Sequence, residues 1–260
     1  MLCVVVGVVS GVTLLHNVVY IVCWKSSSII RFDAVTHRRL AVITVKDMSR
    51  PRDIVACQQT AQLYVAEWLS NFVWRVSSDG EDVKRLLPKS PSDTIRPWTL
   101  SVTSSRLLVT SLGKQLIQFD AVGDELSRVD LPDDMNPEHA VESLTGAFIV
   151  SHSDKEMKQG QVSEVNTGGQ VLRQFSGSRL LPLSLTPHIA VDLQGNIFVA
   201  DYDWCHILML NSELTLRRII IDEHQLNYKQ PYRLCYSEQS GQLMVGFAGR
   251  DVAVFDILRR

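Results

Sequence analysis

The chain has no Cys-x-x-Cys pair among its five cysteines, and no His-x-His or His-x-x-x-His pair among its seven histidines. Locally spaced metal sites are therefore unsupported, although ligands drawn from separate segments leave no such signature. No Gly-x-Ser-x-Gly elbow and no phosphate-binding loop occurs, so two common catalytic frames are missing. An excess of either charge is missing too: 26 Lys and Arg face 28 Asp and Glu, with a net charge of −2. A dedicated nucleic-acid binder would show a basic surplus. Cys3, Cys23, Cys57, Cys205 and Cys235 are scattered, most of them inside apolar runs. That is the pattern of reduced, buried thiols rather than of a disulfide framework.

Residues 1–24, MLCVVVGVVSGVTLLHNVVYIVCW, contain no charged side chain. Their length would suit a membrane helix or a signal peptide. The absence of a basic leader, the β-branched excess and the breaks at Ser10-Gly11 and His16-Asn17 divide them into strand-length pieces instead. Strands of a cytoplasmic protein are expected here, with no membrane contact; a removable targeting segment is the alternative.

What the chain does have is a repeat. An apolar residue followed by Asp, Asn or Ser recurs at Phe32-Asp33, Val76-Ser77, Phe119-Asp120, Val165-Asn166, Leu210-Asn211 and Phe255-Asp256, at intervals of 44, 43, 46, 45 and 45. Pro51, Pro97, Pro137, Pro187 and Pro231 each open a copy. Within a copy, strands such as HIAVDL, NIFVAD, HILMLN and LTLRRIIID follow one another across Gly-bearing or polar turns. Four short strands per period, without helical periodicity, predict an all-β fold: a six-bladed β-propeller of four-stranded blades, one domain over 1–260. Ala190 and Ala200 suit crowded positions near its axis. The last copy lacks a fourth strand, while the first can draw its own four from Val12 to Val45. Leu2–Val9 is therefore expected to complete the last blade and close the ring.

The copy at 187–211 resembles the NHL repeat, known from the propellers of TRIM-NHL proteins. Pro187, IAVD ending at Asp192, Gly195, IFVAD ending at Asp201, and ILMLN carry the resemblance. Elsewhere Glu67, Ser111, Ser151 and Phe247 occupy the slot of Asp201, and Cys205 and His206 depart from the family's loop. The resemblance implies a six-bladed propeller that recognises a macromolecule on one face. RING, B-box and coiled-coil segments are absent, so ligase activity is not carried over.

No catalytic group or cofactor is expected. Asn136, Glu138, Asp53 and Asp192 are the nominees for a calcium-dependent lactonase-like hydrolase, but nothing orders them into a site. His139 and His188 follow blade-opening prolines and are read as surface or capping histidines. Asp192 and Asp201 are read as acceptors for backbone N–H groups at turns and strand ends.

Inter-blade linkers and the loops after each second strand share one face. On it the sequence places Trp24, Arg52, Trp68, Arg96, Trp98, Tyr202, Trp204, Tyr232 and Arg250 as candidate binding residues, in the types most enriched at hot spots. Lys25, Arg50 and Arg233 join them, as do Asp53, Glu67, Asp93, Asp133, Asp134, Glu138, Asp201 and Asp203. Mixed charge favours a protein or peptide partner of a monomeric scaffold. Single-stranded RNA, stacked on the aromatics, is the alternative. The polar loop 151–161, SHSDKEMKQGQ, is either a solvated insertion or a selector of the partner.

Overall fold

A computed structural model of the protein describes residues 2–5, 7–88, 95–154, 159–178, 181–183 and 188–257. It is a six-bladed β-propeller, and each blade is a four-stranded antiparallel sheet. The innermost strands are Val9–Leu15, Pro51–Cys57, Pro97–Thr103, Met135–Glu142, His188–Val191 and Pro231–Ser237, and each neighbours the next around the axis. No helix occurs among the described residues, so none is long and apolar enough to cross a membrane.

The second strands show why blades must stack. In Gln62–Glu67 and Arg106–Ser111 every residue after the first is buried, and Ile197–Asp201 is buried throughout. Side chains alternate between the faces of a sheet, so burial of both sets requires cover on both sides. The apolar residues accordingly form six clusters, one between each pair of adjacent blades. Ala190 and Ala200 belong to the one between the fifth and sixth. The outermost strands Glu125–Asp130, Val171–Phe175 and Leu216–Ile221 are largely exposed, and Arg128, Arg173, Arg217 and Arg218 lie on them. Charge on an open edge discourages pairing with another chain.

Leu2–Val4 lies antiparallel to Asp251–Asp256, with Leu2 opposite Ala253, and supplies the fourth strand of the last blade. The boundary expected from the sequence shifts. Val9 belongs not to this strand but to the inner strand of the first blade. Gly11 follows two residues on, and a Cβ there would lie 2.7 Å from the Ile54 nitrogen; the close approach of the first two blades needs glycine.

The residues that mark the repeat are turn-makers. Asp120 Oδ1 accepts the N–H groups of Val122 and Asp124, Asn166 Oδ1 those of Gly168 and Gln170, and Asn211 Oδ1 those of Glu213 and Thr215. Asp33 does the same for Val35 and Thr36. Asp192 does so for Gln194 and Asn196, in the turn after the fifth inner strand. A carboxylate or amide oxygen thus replaces a missing ladder partner where the chain reverses.

At the other end of the inner strands, pairing slips by one residue at Ser10, Arg52, Trp98, Glu138 and Tyr232. Each slip is a β-bulge, which re-aims side chains at a sheet rim. Pro51, Pro97 and Pro231 begin their strands, and Pro137 sits two residues inside its own. Pro187 lies outside the described residues. One element was not expected. A two-stranded ribbon, Gly177–Ser178 with Leu181–Pro182, links the fourth and fifth blades.

Candidate functional site

One step past the bulges, register places Gly11, Asp53, Thr99, His139, His188 and Arg233 at equivalent positions of the six blades. All five side chains are buried. Asp53 Oδ1 accepts the N–H of Ile54 and Oδ2 that of Leu100 in the next blade, while His139 Nε2 bonds the Leu100 carbonyl at 3.1 Å. The Leu234 N–H points at His188 Nδ1, and Arg233 Nε donates to the Ser10 carbonyl. These ring side chains therefore tie the second blade to the third, the third to the fourth, the fifth to the sixth and the sixth to the first.

Its histidines are neither surface nor capping groups, contrary to the sequence reading. Their rings stack at 3.9 Å between centroids and 17° between planes. Burial pushes His139 down to about 4; His188 is pushed well down by burial and then by His139 itself. Both are neutral imidazoles at neutral pH. Asp53, His139 and His188 bring ligand atoms within 4.8 Å of one another. That is the cluster best placed for a metal, and its geometry fits one poorly. Ring nitrogens bind metals along lone pairs in the ring plane, and near-parallel stacked rings direct them side by side. Arg233 Nε also stands 3.8 Å from Asp53 Oδ1. The lactonase nominees do not assemble either: Asp192 is in a turn at the far end of its strand from Glu138 and Asp53.

Above the ring lies an aromatic ladder that the sequence located but could not assemble. Trp24 meets Trp68 edge to face at 5.3 Å, and Trp68 meets Trp98 at 4.9 Å. The Arg52 guanidinium sits 3.8 Å from the Trp98 ring, 5.4 Å from Trp68 and 5.6 Å from Tyr232, whose hydroxyl it bonds. Arg233 lies 4.1 Å from the Tyr232 ring, and Tyr202 abuts Tyr232 at 6.2 Å. Trp98 Nε1 donates to Glu138 Oε2 at 2.9 Å. Burial lowers the Arg52 pKa, and Arg233 lowers it further; burial raises Glu138 and Asp53 against the pull of these partners. Bulges carry the central residues of this ladder, Arg52, Trp98 and Tyr232, out of the inner strands and onto the mouth.

The remaining candidates divide. Arg96 is exposed beside Trp68 and Trp98, in a groove of about 220 Å³ that Leu69 and Leu112, 72% and 41% exposed, also line. Trp204 is 49% exposed and stands apart from the ladder. Arg250 is exposed, and its carbonyl receives the Val5 N–H. Asp53, Glu67 and Asp201 are buried and add nothing to the surface charge that the sequence counted with them. Glu67 accepts from Trp74 Nε1 and from Ser49; burial opposes its ionisation, but these bonds outweigh it and hold its pKa low. Asp93 and positions 155–158 of the polar loop fall outside the described residues. Burial raises the Cys205 thiol pKa, and His206 pairs with Glu223 at 2.6 Å.

A scan against protein-family models and a search of curated proteins find no match. Solved structures do match. Hydrazine synthase of Kuenenia stuttgartiensis is 14% identical, with a TM-score of 0.67 over 97% of this chain and 77% of that one. A streptogramin B lyase is 11% identical, TM-score 0.65, over 98% and 97%. The WD40 propeller domain of Doa1 is 14% identical, TM-score 0.64, over 97% and 95%. A chain of a nidogen–laminin complex is 12% identical, TM-score 0.64, over 87% and 84%. At these identities the likeness is one of fold, and the fold serves enzymes and protein-binding domains alike.

Proposed function

We propose that the protein is a non-catalytic recognition propeller, of the NHL kind, that holds a protein or peptide at its aromatic mouth. The observation that carries this reading is the continuous Trp24–Trp68–Trp98 ladder with Arg52 stacked on it, half-buried and open to a groove. Trp and Tyr give large contact area for little loss of rotamer freedom, and together with Arg they dominate binding energy where they cluster. Leu69 and Leu112 add exposed apolar surface beside them. The WD40 and nidogen–laminin neighbours lend the reading general support. Free thiols at Cys23 and Cys57 suit a reducing, cytoplasmic setting.

The lyase neighbours make catalysis the reading to beat, and the titratable groups favour it least. His152 Nε2 and Ser163 Oγ lie 2.8 Å apart, but Ser163 is wholly buried and no substrate reaches it. The ring residues spend most of their polar atoms on backbone, although His139 Nδ1, His188 Nε2 and one terminal nitrogen of Arg233 are buried without a hydrogen-bond partner.

Immobilised wild type and Leu69→Asp, exposed to lysate with and without nuclease at low and raised salt, decide between partners. A protein retained through nuclease and salt, and lost with Leu69→Asp, is the expected result. Capture of nuclease-sensitive, salt-labile material alone would overturn the reading and promote single-stranded RNA, whose binding weakens steeply with salt.

A further inference from the structure

Beside the ladder, between the fifth, sixth, first and second blades, is a cup of about 390 Å³ walled by Val8, Trp24, Tyr202 and Tyr232, with Arg52 and Ser10 also lining it. We infer that this cup receives the carboxylate of an Asp or Glu side chain of the bound peptide, with Arg52 as its anchor. The inference rests on the peptide-recognition reading above and names what that peptide must carry.

Arg52 feels the charges of Glu138 and Asp53 but bonds neither. The Trp98 and Trp68 rings pack on its guanidinium, one N–H bonds the Tyr232 hydroxyl, and its buried Nε has no hydrogen-bond partner. No carboxylate oxygen of the described residues comes within ion-pair distance of it. The two nearby acids are engaged elsewhere: Asp53 with the Ile54 and Leu100 amides, and Glu138 with Trp98. A second guanidinium lies close by and takes the Asp53 carboxylate, its Nε 3.8 Å from Oδ1. Arg233, 4% exposed, stacks on the same Tyr232, and one of its terminal nitrogens also lacks a partner. A buried polar group without a partner is costly, more so when charged. Stacking occupies the faces of a guanidinium and leaves its N–H groups in the plane, the edge that meets a carboxylate with two parallel bonds.

The surroundings select a single carboxylate over a polyanion. Lys25, beside Trp24, and Arg250, two residues past Ala248, are exposed and match the sign of Arg52. Exposed Asp203, beside Tyr202, and Asp133 and Asp134 on the same face would repel a phosphodiester chain. The apolar walls, including Val8 at 50% exposure, fit the methylenes of the acidic residue and its neighbours.

The test uses a library of random short peptides displayed on phage, selected on the full chain. A selected peptide is then synthesised with its acidic residue and with the matching amide, and binding is read by fluorescence anisotropy. Selected peptides are expected to share one Asp or Glu position, with the amide form binding about ten- to a hundredfold more weakly, the range of a charge-assisted hydrogen bond. Arg52→Met should abolish that difference. Val8→Glu, at an exposed position that does not threaten the fold, should place a competing carboxylate in the cup. It should weaken the acidic peptide at least about tenfold and spare the amide peptide. If Arg52→Met fails to fold, Val8→Glu decides alone. Peptides that share no acidic position, or an acid preference that survives Val8→Glu, would overturn this inference and leave the recognition reading standing. A folded protein that selects no peptide would overturn both.

Discussion

On the face that carries the hairpin turns, Asp33, Asp120, Asn166 and Asn211 each accept two backbone N–H groups in nearly the same geometry. On the opposite face, the five bulge positions hold Ser10, Arg52, Trp98, Glu138 and Tyr232, with no two alike. Both sets occupy equivalent places in successive blades. Where the residue type repeats, it solves a problem every blade has, namely how to reverse the chain without leaving an N–H unpaired. Where the type differs, the blades share only a backbone, and the side chains form one asymmetric surface. The first face builds the ring; the second distinguishes this ring from others of the same shape.

Five experiments would break or sharpen that contrast, and the largest effect belongs to the frame. Deleting residues 2–5 removes the fourth strand of the last blade and the buried Val5, and should cost about 3–5 kcal/mol from lost burial and an opened edge. The urea midpoint should fall accordingly; an unchanged midpoint would mean that the strand is dispensable.

Acid comes next and acts on the ring beneath the mouth. His139 has a folded pKa of about 4 against 6.5 for a free imidazole, so the unfolded chain binds more protons between these values. Its contribution is complete above pH 6.5 and is lost as pH falls through 6.5 towards about 4, a loss of roughly 3 kcal/mol at 1.36 kcal/mol per unit. His188 acts in the same direction. Asp53 and Glu138, raised by burial, oppose the trend by favouring the folded state at low pH. His139→Gln should therefore flatten the fall in melting temperature between pH 6.5 and 4. An unaltered slope would place the acid sensitivity elsewhere.

A single turn is worth less. Asp192→Ala removes two backbone bonds and one to the Asn196 side chain, and should cost about 1 kcal/mol while leaving partner capture intact. Loss of capture would mean that the turn face also binds. Smallest in stability are Leu69→Asp and Trp204→Ala at the exposed mouth, each within about 0.5 kcal/mol of wild type. Leu69→Asp should nevertheless abolish capture. A chelator, or added calcium or zinc, should likewise leave the melting temperature nearly unmoved, because a metal held by the ring would stabilise it by mass action.

Much of the frame was legible because turn chemistry is local. The oxygen of Asp120 or Asn211 has to stand at a fixed offset from the N–H groups it accepts, so the period shows in the chain. The aromatic inventory of the mouth was legible by counting along the loops. Its assembly was not, since Arg52 and Trp98 belong to different blades and only closure of the ring brings them to 3.8 Å. His139 was misplaced because it follows a proline closely, which suggests a surface turn. The bulge between Pro137 and His139 turns the next side chain inward, and a register shift of one residue leaves no mark in composition. Glu67 was counted as surface charge for a similar reason: its partner Trp74 lies across a loop, and no local pattern pairs them.

The strand at Leu2–Val4 joins residues some 250 positions apart in the chain. The entropy of closing so long a loop grows only as the logarithm of its length, to about 5 kcal/mol, but nothing repays it until both partners are in place. Blades built from neighbouring strands can form while the chain is still an open arc, and the latch then engages last. Contacts made after the folding transition state chiefly govern unfolding. A weakened latch should thus leave the folding rate almost unchanged and quicken unfolding, so that the lifetime of the closed ring is set at the seam where the two distant segments of the chain meet.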